Sequence, residues 1–158
     1  MTTKTSPPLK LQIDMVPVSS WGISLRNKLP RSKWDKLRKE IHEKNGLKCE
    51  ICESTEKLHC HEHWEFDKAT STQQLAGLGT VCNMCHHVAH LGRSKQLAAE
   101  GHLDIKAVVD HFMKVNACDL KIFKKHEADA VKVWAERSGI EWKVDFGAYA
   151  SLLPKDAS

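Results

Sequence analysis

Residues 32–46 read SKWDKLRKEIHEKNG, and Trp34, Leu37 and Ile41 recur there at spacings of three and four. That period places the three on one face of a helix. Ser32 reads as its cap, Asp35 follows three residues on, and Asn45-Gly46 can close the last turn. Two later stretches, DIKAVVDHFMKVN and DLKIFKKHEADAVKVWAERSG, read as further helices. In the second, Leu120, Phe123, Val131 and Trp134 share a face predicted to be core, and Gly139 offers a stop. IEWKVDF then switches to period two through Ile140, Trp142, Val144 and Phe146, which marks a half-buried strand. Residues 1–17 are polar and punctuated by prolines, and are expected to form a flexible arm. Residues 18–158 read as one domain, with a turn-broken centre at 45–95 and C-terminal helices and a short strand over 96–150. There is no internal repeat.

With 158 residues, 41% hydrophobic and 28% charged, the chain can bury a core without cross-links and has the composition of a globular protein. No apolar run reaches the roughly 20 residues of a membrane helix, and the N-terminus lacks a signal-peptide core. A cytoplasmic protein is expected, with cysteines kept reduced. The net charge of +4 is mild and proves no nucleic-acid partner by itself. It is unevenly spread, however. Arg26, Lys28, Arg31, Lys33, Lys36, Arg38 and Lys39 face a single acid, Asp35, over fourteen positions. On composition alone this is a solvated helix face; the functional alternative is a phosphate-contacting surface.

Six of the ten histidines and three of the six cysteines fall in HCHEHW (59–64) and CNMCHHVAH (82–90). CEIC supplies Cys49 and Cys52, and CNMC supplies Cys82 and Cys85. Two Cys-x-x-Cys pairs in a reduced chain point to a tetrahedral zinc site, because each short turn can aim two sulfurs at one ion about 2.3 Å away. A closed shell of four sulfurs leaves no open position, so this Zn²⁺ is expected to be structural. A redox dithiol would use one pair and leave the other idle. Cys60 and Cys118 remain as small hydrophobes. His86 and His90, four apart, would share a helix face and could hold a second ion, with His87 pointing elsewhere. His61 and Glu62 could supply a third ligand and a base, although neighbours on an extended strand face opposite ways.

The block CEIC … CHEHWEFD … LAGLGTVCNMCHHVAHLG resembles the HNH endonucleases, in the bacterial and phage group with a Cys-His-Glu-x-Trp block. The flanks WGISLRNKLPRSKWDKLRKE and WAERSGIEWKVDF extend the likeness over roughly residues 20–147. The resemblance implies an α+β protein: a small zinc-braced ββα-metal (His-Me finger) core with flanking N- and C-terminal helices. It implies a metal-dependent hydrolase that cuts DNA phosphodiester bonds, using one active-site divalent cation (Mg²⁺, Mn²⁺, Ni²⁺ or Zn²⁺). His86 and His90 match the helix-borne metal ligands. His61 matches the hairpin position, either as third ligand with Glu62 as base, or as the base itself with Cys60 or Glu62 near the ligand position. His59 and His63 read as phosphate or outer-shell contacts. The basic stretch becomes a DNA-backbone surface. The middle asparagine of the motif is missing: Gly77 stands in its place, and Gln73 or Gln74 would have to substitute unless the loop is braced otherwise.

Two other functions compete. A non-catalytic zinc module binding DNA or a protein needs only the four cysteines and the basic helix. A zinc-dependent nucleobase deaminase is imitated by Cys60-His61-Glu62 with Cys82 and Cys85, but Val81 replaces the required proline. A His-Glu-x-x-His protease is excluded at the motif, because Glu65 occupies the second histidine position.

Overall fold

The computed structural model describes residues 8–154. Its elements run α1 (Leu25–Lys28), α2 (Arg31–Lys44), β1 (Leu58–Asp67), β2 (Thr72–Cys82), α3 (Asn83–Ala89), α4 (Leu91–Ala99), α5 (Ile105–Asn116), α6 (Leu120–Ser138) and β3 (Lys143–Asp145), with 3-10 turns at Val18–Ser20 and Gly147–Leu152. The fold is therefore mixed α+β. β1 and β2 form an antiparallel hairpin, and β3 joins β2 in parallel, from Thr72↔Lys143 to Gln74↔Asp145.

The helix ends follow local chemistry. Asp104 caps α5 by accepting from the Lys106 amide at 3.0 Å, and Asp119 caps α6 by accepting from Ile122 at 3.0 Å. α2 departs from expectation: it starts at Arg31 after Pro30, with no side-chain cap, and Ser32 lies inside it. Proline's fixed φ sets the entry angle there, and the amides of the first turn have no side-chain acceptor at the N-cap. Asp35 instead pairs with Arg31 and Arg38 along the helix.

The sheet separates two apolar clusters. On one side Leu11, Ile13, Val81, Val88, Leu91, Val108, Phe112 and Phe123 pack together around Cys49, Cys82 and Cys85. On the other, Leu25, Leu29, Trp34, Leu75 and Phe146 pack with Cys60 and Trp64. Strand alternation drives this partition, since successive β1 side chains face opposite ways. Cys60, in the second cluster, has its thiol pushed up to about 12 by burial first and by the Glu62 charge next, so it stays protonated.

Two expectations need correction. The flexible arm does not extend to residue 17. Leu11 is 1% exposed and Ile13 is buried; the Leu11 amide donates to Asn116 Oδ1 at 3.0 Å and the Ile13 amide to His126 Nε2 at 2.9 Å. Residues 8–17 are a strap laid into the core, and residues 1–7 lie outside the described residues. On α6, Phe123 is buried, but Leu120 is 46% and Val131 44% exposed. A nineteen-residue helix that packs on one cluster over part of its length leaves the rest of its apolar stripe uncovered. Among the described residues, no helix is long and apolar enough to cross a membrane.

Candidate metal centres at the hairpin–helix joint

The sulfurs of Cys49, Cys52, Cys82 and Cys85 lie within 4.8 Å of one another. A tetrahedral zinc with bonds of about 2.3 Å sets sulfurs about 3.8 Å apart, and Cys52 and Cys82 stand at 3.5 Å. Both turns are shaped to stabilise thiolates. Cys49 Sγ accepts from the Ile51 and Cys52 amides at 3.4 and 3.5 Å, and Cys82 Sγ accepts from the Cys85 amide at 3.4 Å. That last bond makes Cys82 the N-cap of α3, so the second pair is the strand-to-helix joint itself. Burial, with neighbouring thiolate charge, pushes Cys82 up to about 11 and raises Cys85 further. Sulfurs crowded and desolvated in this way could hold a metal ion, and the donor set suits structural zinc.

One neighbour was not legible in the sequence. His111 of α5 places Nε2 3.2 Å from Cys85 Sγ. An imidazole N–H on a metal-bound sulfur orients the ligand and spreads its charge. His111→Ala is expected to weaken zinc affinity roughly 10- to 100-fold while the protein still folds. Competition with a chromogenic zinc chelator measures it, and unchanged affinity would remove His111 from the site.

A second cluster lies beside the first. His61, from β1, meets His86, from α3, and His90, at the α3–α4 junction; their ligating nitrogens fall within 4.8 Å of one another. The ring centroids are 5.6 Å apart for His61–His86, 5.4 Å for His61–His90 and 4.6 Å for His86–His90. Burial, reinforced by neighbouring imidazoles, pushes His61 down to about 3 and His86 down to about 2. His90 is also lowered by burial, against an opposing pull from Asp14. The three rings are thus neutral near pH 7, with lone pairs free to bind a cation.

His59 and His63 share this face of β1, as period two demands. His59 stacks on His86 at 4.8 Å and bonds Asn83 Oδ1 at 3.0 Å. His63 lies 5.1 Å from the His61 ring and bonds Glu50 Oε1 at 2.9 Å. This pair sits over Gly79, where an added Cβ would collide with the Glu50 carboxylate and His63 Nε2. The absence of a side chain there is what lets them meet.

Glu62 does not join the histidines. Its Oε1 accepts from the Leu25 amide at 2.7 Å, so the carboxylate tethers α1 on the other face of the sheet. Burial raises its pKa, with the Leu25 and Arg26 amides opposing. Asp14 is an acid that the sequence pattern did not single out: its amide donates to Ala89 O at 2.9 Å, and its carboxylate approaches Arg137 Nη1 at 3.7 Å. It lines a cleft of about 490 Å³ with His61 and His63. A lone aspartate carries no local signal of such a position.

Of the basic residues, Arg26, Arg31 and Arg38 line a cleft of about 470 Å³ that ends on His59 and His86. Lys28, Lys33, Lys36 and Lys39 do not line it. Gly77 pairs with His63 beside a bulge, where the register shifts before Trp64↔Leu75. Neither glutamine takes over an asparagine's pinning role. Gln73 is buried with Oε1 unpartnered among the described residues, and Gln74 Nε2 donates to Asp145 Oδ2 at 3.3 Å, tying β2 to β3. The hairpin connection is only residues 68–71, and Thr80 is clamped to α2 by His42 at 2.8 Å and Asn45 at 3.1 Å. No family model, no curated protein and no solved structure matches this chain.

Proposed function

We propose that this protein is a metal-dependent HNH-type endonuclease, with a zinc-braced ββα-metal core, that hydrolyses DNA phosphodiester bonds. The observation that carries the reading is the triangle of neutral imidazoles, His61, His86 and His90, at the same joint as the four cysteines. A divalent cation held there would supply Lewis acidity to the scissile phosphate and its leaving oxygen. Arg26, Arg31 and Arg38 are suited to grip flanking phosphates, since a guanidinium matches phosphate geometry with two parallel donors. With Glu62 turned to the α1 amides, the half-exposed His63, beside the His61 ring and bonded to Glu50, is the candidate to receive a proton from attacking water.

A second reading, a zinc module that binds DNA without cutting it, gains support from that same use of Glu62. Supercoiled-plasmid nicking separates the two. After exchangeable metal is removed with a mild chelator, Mg²⁺, Mn²⁺, Ni²⁺ or Zn²⁺ is added back, with His90→Ala as control. Nicking is expected with at least one metal, and not by the variant. Failure with all four, from protein that keeps its cysteine-bound zinc, would favour the binding module.

A further inference from the structure

A pocket of about 540 Å³ bounded by His90 is walled by Trp21, Trp134 and Met15. Its size is within the range of small-molecule sites. The Trp21 indole donates to Val16 O at 2.8 Å and the Trp134 indole to the same oxygen at 3.0 Å. Both N–H groups are therefore spent, and the rings have only their faces and edges left to offer. Trp21 is nevertheless 60% exposed, which is costly for so large an apolar surface without an occupant. Val131, the uncovered part of the α6 stripe, forms part of the floor.

The rim is charged. Arg93 lines the pocket and donates to Gln96 Oε1 at 3.3 Å, and Lys95 pairs with Glu127 at its edge. An aromatic wall, the Arg93 guanidinium and a histidine of the candidate metal cluster on one boundary suit one chemistry: a nucleotide whose base is out of its helix. Bases of any identity stack on indole faces, while guanidinium and ammonium groups follow the backbone.

We propose that this pocket binds one unpaired nucleobase of the strand whose phosphate lies at His90, stacked on the Trp21 indole. The inference rests on the nuclease reading and gives it a substrate class: single-stranded or locally opened DNA. The strand runs from the arginine cleft, past His86, to the tryptophan pocket. The Lys95–Glu127 pair gives the base edge both a donor and an acceptor.

The test is fluorescence anisotropy at one fixed salt concentration, without added divalent cation, so that binding rather than cleavage is read. The probes are a short labelled single strand of mixed sequence and its duplex. Wild-type protein is expected to prefer the single strand. Trp21→Ala should weaken that binding about tenfold, the loss of one base–aromatic stack, and leave duplex binding unchanged. Trp21→Phe keeps a ring face, and Val16 O keeps the Trp134 donor, so it should restore most of the affinity. The proposal is overturned if Trp21→Ala binds the single strand as wild type does, or loses strand and duplex equally. It is also overturned if Trp21→Ala only abolishes self-association or capture of a protein partner, with DNA binding intact. A protein that shows the Trp21-dependent preference but, with each of the four metals, cuts neither the plasmid nor the single strand would sink the nuclease and keep the pocket. Nicking without that dependence would do the reverse.

Discussion

Cys49→Ser is expected to lose the bound zinc and to melt on the order of 10 °C below the wild-type protein, as several kcal/mol of lost stability implies at this chain length. Cys49 sits in the loop before β1, whereas Cys82 and Cys85 belong to the β2–α3 joint. The ion would therefore cross-link segments distant in sequence, and structural zinc in small domains contributes about 10–16 kcal/mol of apparent binding free energy. Cys52, Cys82 and Cys85 can retain part of that binding energy, so a loss of several kcal/mol is expected, a large share of the stability of a typical domain, about 5–15 kcal/mol. The second apolar cluster, on the other face of the sheet, does not depend on the cysteines, so collapse is expected first around α3 and the 49–54 turn. Cys60→Ser is the matching control. Its thiol is held protonated in that second cluster, and zinc content should remain at the wild-type value. Metal analysis and thermal melting check both variants; a Cys49→Ser protein with unchanged zinc and melting temperature would remove the cysteine site from the fold's support.

His86→Ala should lower metal-dependent cleavage by more than about 100-fold, because removing a group one shell farther from a metal already costs about 10- to 100-fold. Its ring is stacked on His59 and edge-on to His61 and His90. Loss of the ring leaves two nitrogens for the cation, too few to hold it firmly, while relieving the packing of mutually desolvated imidazoles. Thermal stability is therefore expected to stay close to wild type. His87→Ala provides the contrast. That ring turns toward Ser94, with Nδ1 3.4 Å from Oγ, and its removal should leave cleavage intact. A His86→Ala protein that cuts normally, or a His87→Ala protein that does not, would overturn the assignment of the triangle.

Much of this arrangement follows from short-range rules. The Cys-x-x-Cys spacing bends each turn so that two sulfurs converge, whatever the rest of the fold does. His86 and His90 share a side because they lie one helical turn apart, even though His90 is the residue at which α3 ends. Alternation along β1 likewise predicts that His61 and Glu62 part ways, and the Leu25 amide is what receives the carboxylate. Asp104 and Asp119 cap their helices from side chains two or three residues away.

The remaining features depend on which distant segments meet. Leu9, Leu11, Ile13 and Met15 alternate with Lys10, Gln12 and Asp14, a period-two mark of a half-buried extended segment, but nothing local says where the strap docks, because its partners, Asn116 and His126, are more than a hundred positions away. The same holds for His111 against Cys85, for Glu50 against His63 across Gly79, and for the two indoles that share Val16 O. By itself the sequence determined the candidate ligand sets, the helices α2, α5 and α6 and the alternation of the hairpin, since these depend on backbone geometry over a few residues. Only the tertiary structure decided which arginines reach the histidines, which way α1 is tethered and where Trp21 is left open. Those depend on long-range packing, which local periodicity does not encode.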